Sequence, residues 1–147
     1  MVYTMKNSES VALRKVKARG VFDGSYVVDE HREQVDVFGD TSSSPACLEA
    51  MRLTLALGRQ RHWRTTAADA RSAYIQSRLQ QKGVKTFIEL PAEFWPESWS
   101  GFRRPVCPLI LSLYGHPESG RCWQDHCTSR LTAAGFVELE PNSQVFR

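Results

Sequence analysis

No apolar run in this 147-residue chain is long enough to cross a bilayer, and the opening Met1-Val-Tyr-Thr-Met-Lys-Asn-Ser-Glu-Ser10 lacks the apolar centre of a secretory signal. Neither a membrane anchor nor secretion is expected; an intracellular protein, cytoplasmic or nuclear, is. Cysteine is sparse: Cys47, Cys107, Cys122 and Cys127 form no closely spaced pair of pairs, which argues against a disulfide framework and against a zinc ribbon. Reduced thiols are the plain expectation. The one metal alternative takes Cys122 and His126, four apart on one face of a helix, with Cys107 and His116 as further ligands, although these spacings match no familiar zinc module. The chain also lacks an internal repeat, a low-complexity linker and a strong excess of one charge. Its 19 Lys and Arg against 16 Asp and Glu leave a net +3, which eases contact with phosphate without diagnosing it.

What is present is an ordinary globular composition, 41% hydrophobic and 24% charged, enough for one core and too short for two well-formed domains. Residues 11–24 interleave Arg14, Lys15, Lys17 and Arg19 with valines and leucine, as a strand or the end of a helix would. The mixture of acids, valines and aromatics from Asp23 to Asp40 suits a hairpin or an irregular crossover. Thr41-Ser-Ser-Ser44 offers capping hydroxyls and Pro45 suits a first helical turn, so a core helix is predicted to run to about Gln60 with Leu48, Met51 and Leu55 as its apolar stripe. Arg59, Arg61, His62 and Arg64 follow. They read either as a contact for nucleic acid or, more commonly, as a solvated helix end whose cations complement the dipole.

Trp63 to Asp69 is predicted as a strand, followed by a tight turn and a helical segment through Leu79. Val84, Thr86, Ile88 and Leu90 alternate with Lys85, Phe87 and Glu89 as in a strand with one buried face. Val106 to Leu113, broken by Pro108, reads as an edge or bulged strand, and a helix from Arg121 closes at Gly135 before a short strand at Val137 to Leu139. Strands and helices mixed without regular alternation make the fold class α+β, an antiparallel sheet packed on helices.

Asp69 is the residue best placed for chemistry. A carboxylate at a strand end, before a small-residue turn, can meet a hard divalent cation, with Ala70 leaving the backbone open to a phosphate; in isolation the same aspartate would more often be a helix N-cap. The wider pattern changes that balance. Asp69-Ala-Arg-Ser-Ala-Tyr74 resembles the Asp-Val-Lys-Thr-Ala-Phe of copia-type long-terminal-repeat retrotransposon reverse transcriptases. In the same order, Ser44-Pro45 with the apolar helix after it, Ile88-Glu-Leu-Pro-Ala-Glu-Phe94, Val106-Cys-Pro-Leu109, and Ser112-Leu-Tyr-Gly115 with Arg121 and Trp123 are similar to further landmarks of that family. Lys17-Ala-Arg19 resembles its basic fingers strand.

The resemblance implies fingers and a first palm helix over about residues 11–62 and palm over about 63–147, in an RNA-directed DNA polymerase working by two-metal nucleotidyl transfer. It implies Asp69 as a magnesium ligand and catalytic carboxylate, Ala70 as backbone toward the triphosphate, Tyr74 beneath the incoming deoxyribose, and Lys17 and Arg19 as triphosphate cations. Its partners would be an RNA template, a DNA primer, deoxynucleoside triphosphates and the remainder of a Pol polyprotein. Two departures stand out. Glu118-Ser-Gly120 replaces the family's Gln-Ala-Pro, so Glu118 offers an acceptor-only carboxylate that would repel phosphate unless it turns away. The family's Tyr-Val-Asp-Asp turn has no counterpart in these 147 residues. Two divalent cations about 4 Å apart repel by roughly 17 kcal/mol at an effective dielectric near 20, which one carboxylate cannot offset. The 147 residues alone are therefore expected to be inactive, and a non-catalytic nucleic-acid-binding module or a structural remnant stands as the alternative.

Overall fold

The computed structural model describes residues 2–6, 11–13, 15–35, 41, 43–80 and 85–147, and the class is α+β. The antiparallel sheet expected from the sequence is instead two separate two-stranded ladders. Val2–Lys6 (β1) pairs with Lys15–Arg19 (β2) in the register Val2 to Arg19, which settles the basic segment as strand. Phe87–Glu89 (β3) pairs with Val106–Pro108 (β4), Ile88 opposite Cys107. From Lys85 to Leu90 the predicted alternation holds, with Thr86, Ile88 and Leu90 turned inward; Val84 lies outside the described residues. Pro108 stands opposite Phe87 where no ladder bond is needed, and the next one, Leu109 N–H to Thr86 O at 2.9 Å, is made.

Between the ladders, Asp29 Oδ1 accepts from His31 and Glu33 N–H and supports a small loop bridged by Val28 and Gln34, the described part of the expected hairpin.

Leu48–Leu57 (α1) forms where a helix was expected, but its cap differs. Cys47, not a serine, is the N-cap, and its Sγ accepts from Ala50 N–H at 3.4 Å. More consequentially, α1 buries none of its residues: Leu48, Met51, Leu53 and Leu55 are each about half exposed, so it is not the core helix its stripe suggested.

Ser119–Ala133 (α2) starts two residues earlier than predicted and stops as predicted. Gly135 adopts φ +95°, its N–H bonds Thr132 O, and Phe136 N–H reaches back to Leu131 O, a Schellman termination that needs a left-handed residue at that point. The last segment folds back through Val137, Leu139, Val145 and Arg147 backbone bonds.

The core is small: Leu79, Leu109 and Cys122 are buried, with Phe22, Ile88 and Leu113 packed against them. Around it sit buried polar groups whose hydrogen bonds are made internally. Ser77 Oγ donates to Tyr74 O and pairs with Ser112 Oγ at 3.0 Å, while Ser119 Oγ accepts from Leu113 N–H and donates to Leu113 O. The chain exposes 12152 Å², against about 7600 Å² for a compact folded chain of this mass. Much of the apolar surface therefore faces solvent. Among the described residues no helix is long and apolar enough to cross a membrane.

Candidate nucleotide site

Trp63 to Ala70 forms no strand; all eight residues are exposed and none has a partner strand. After Trp63 the run Arg64-Thr-Thr-Ala-Ala has no large apolar side chain to bury on alternate positions, so nothing drives its pairing. Asp69 is consequently presented to solvent in an irregular segment rather than at a strand mouth. It is not an N-cap either: the helical segment expected through Leu79 is a single 3₁₀ turn, Tyr74–Gln76, capped by Ala73 without a side-chain bond. Ala70 is likewise exposed, and Ser72 takes φ +52° ahead of that turn.

Tyr74 is half-buried, and its ring lies 4.7 Å from that of Tyr114 at 53°. The guanidinium of Arg19, at the end of β2, sits 5.6 Å from the centre of the same Tyr114 ring. A cation and an aromatic ring from two distant segments thus both pack against Tyr114, from a third. Lys17 belongs to β2, but its side chain lies outside the described residues.

Backbone contacts hold this packing. Phe22 N–H donates to Tyr114 O at 2.6 Å, directly after β2. Gly115 has φ +90°, and a Cβ there would collide with Phe22 O, so both conformation and space demand glycine. Next to it His116 is 3% exposed, tilted against the Phe22 ring at 5.1 Å. Its Nδ1 accepts from Glu118 N–H and its Nε2 faces Thr86 Oγ1, both at 3.2 Å. An accepting Nδ1 carries no proton, which assigns the neutral Nε2–H tautomer with Nε2 donating to Thr86. Burial holds the His116 pKa below its ordinary value, consistent with that neutral form.

Glu118 is the N-cap residue of α2 but makes no side-chain cap; its backbone serves His116 and Cys122. Nothing among the described residues ties its carboxylate to Arg19 or Tyr74. The site residues expected from sequence therefore divide: Arg19 and Tyr74 are joined, while Asp69 and Glu118 are not joined to them. Tyr114, the joint itself, went unrecognised, because an aromatic pair separated by 40 positions leaves no local signal.

The zinc alternative fails on geometry. Among the described residues no three His, Cys, Asp or Glu side chains converge on a metal position. Cys122 is buried and accepts from Gln80 N–H, His126 stacks on Trp123, and His116 is bonded as above. The same finding bears on magnesium: Asp69 alone does not fit a two-magnesium centre.

Across residues 1–146 the chain matches the family model described as reverse transcriptase (RNA-dependent DNA polymerase). The chain belongs to this family. No curated protein and no solved structure matches it.

Proposed function

We propose that the chain is the fingers and first palm portion, about residues 11–62 and 63–147, of a copia-type reverse transcriptase, and that these 147 residues by themselves hold a deoxynucleotide platform without polymerising. The observation that supports this best is the packing of Arg19 and Tyr74 on Tyr114. It brings a guanidinium and a second aromatic ring to one tyrosine, a combination suited to a phosphate on the cation and a sugar face on the ring. Asp69 contributes one solvent-exposed carboxylate, five residues before Tyr74, and Ala70 an exposed backbone. Lys17 adds charge from the same strand as Arg19, and Glu118 stays off the phosphate path. RNA template, DNA primer and deoxynucleoside triphosphates are the partners of this reading, with magnesium bound only once further carboxylates join Asp69.

Equilibrium binding of dATP and ATP to the purified chain tests it. Tighter binding of dATP, with the preference lost in Tyr74→Ala, is expected; equal affinities or no binding overturn the platform. A primer-extension assay in magnesium is expected to yield no product, and template-dependent incorporation by this chain would refute the inactivity.

A further inference from the structure

Arg59, Arg61, His62 and Arg64 do not behave as a helix end. α1 stops at Leu57 with Gly58 as its cap, and no basic residue lies in its last turn, so the cations are past the reach of the dipole. They occupy a closed loop instead. A Cβ on Gly58 would strike Thr65 Oγ1, which brings the two ends of the loop together, Trp63 N–H bonds Gln60 O at 3.1 Å, and His62 takes φ +76° to turn the chain. Every side chain from Arg59 to Arg64 points to solvent, including Trp63 at 62% exposure.

Charge is concentrated here. From Ala50 to Ala68 there are four arginines and no acid; of the chain's 19 Lys and Arg, the other 15 face 16 acids, so outside this stretch the net charge is −1. Among the described residues Arg59, Arg61 and Arg64 are in no ion pair, and Trp63 has no aromatic or cationic neighbour. A large apolar ring left in water beside three free guanidiniums has a natural ligand: a base face for the indole and phosphates for the cations.

We infer that the loop 59–64 binds single-stranded nucleic acid, with a base stacked on Trp63 and the neighbouring phosphates held by Arg59, Arg61 and Arg64. A duplex keeps its base faces stacked and out of reach of an indole, whereas a single strand can turn one outward. An acidic protein would satisfy the arginines but leave the indole unused. Even fully extended, the segment from Arg64 to Asp69 would span at most about 18 Å, so a strand on the loop lies within a few nucleotides of that carboxylate. The inference deepens the polymerase reading and rests on it only in taking the strand to be template or primer.

Fluorescence anisotropy of a labelled oligothymidine 12-mer, titrated with the full 147-residue chain over a series of salt concentrations, tests it, with the corresponding duplex alongside. The single strand is expected to bind more tightly than the duplex. Replacing Arg59, Arg61 and Arg64 together by Gln should lower the slope of log K on log salt by about 2, and the triple Lys variant should keep it. Trp63→Ala should weaken binding roughly 5- to 150-fold, with Trp63→Phe retaining most of the affinity. An unchanged slope in the Gln variant, equal affinity for duplex, tighter binding of polyglutamate, or no binding by the wild-type chain each overturns the inference. The dATP preference measured on the same preparation separates the two readings: it survives if only the loop assignment is wrong, and it vanishes with loop binding intact if only the platform is wrong.

Discussion

The loop from Leu113 to Pro117 and the helix α1 are built on opposite terms. The loop sits on buried, mutually bonded hydroxyls and an imidazole, and no buried side-chain polar atom among the described residues is left without a partner. The helix carries the stronger apolar pattern and buries none of it. Order in this chain therefore follows closed polar geometry rather than hydrophobic patterning. A few satisfied hydrogen bonds fix the Tyr-Gly turn, whereas a leucine stripe with nothing opposite it fixes nothing.

The contrast can be broken most severely at Gly115. Gly115→Ala adds left-handed strain and a backbone collision with Phe22, and a loss of about 3 kcal/mol is expected. Gly101→Ala, where a Cβ would meet open space, should leave the urea midpoint within the range of ordinary surface changes. Ser119→Ala comes next. It strands the Leu113 N–H that the hydroxyl serves, while Leu113 O keeps His116 N–H, and a urea titration should register a loss of about 2 kcal/mol.

Acid provides a graded test of the same loop. Because burial lowers the His116 pKa, the unfolded chain takes up this proton first as pH falls below the ordinary value of 6.5. Stability is then constant with respect to this group above that pH and declines below it, by no more than about 1.4 kcal/mol per pH unit for one proton, until the folded form protonates too. Urea midpoints at pH 7.5, 6.5 and 5.5 should show that decline, and His116→Gln should flatten it; an equal decline in the variant would remove His116 as its origin. The smallest effect belongs to α1. Leu55→Gln should change stability by no more than about 0.5 kcal/mol, because the side chain is already half in water. A loss of several kcal/mol there would mean that the helix is packed after all.

Much was legible along the sequence where the deciding interaction is local. Helix α2 with its glycine stop and the inward alternation of Thr86, Ile88 and Leu90 both depend on residues within a few positions of one another. The strand expected over Trp63 to Asp69 did not form because a strand requires a partner, which composition does not supply. The core role assigned to α1 failed for the same reason: an amphipathic pattern states which face wants cover, not that cover exists. Arg19 and Tyr74 could be singled out by motif, but Tyr114 as the ring that both contact could not.

The residue order by itself determined the family, through a match that runs over nearly the whole length. Only the folded chain decided which residues meet. Contacts between positions 19, 74 and 114 depend on how a strand end, a 3₁₀ turn and a glycine-bearing loop approach in space, and that approach is set by backbone bonds such as Phe22 to Tyr114 and by the buried serines beneath them. Local preferences along the chain carry no term for such long-range closure, so no reading of them one segment at a time could have supplied it.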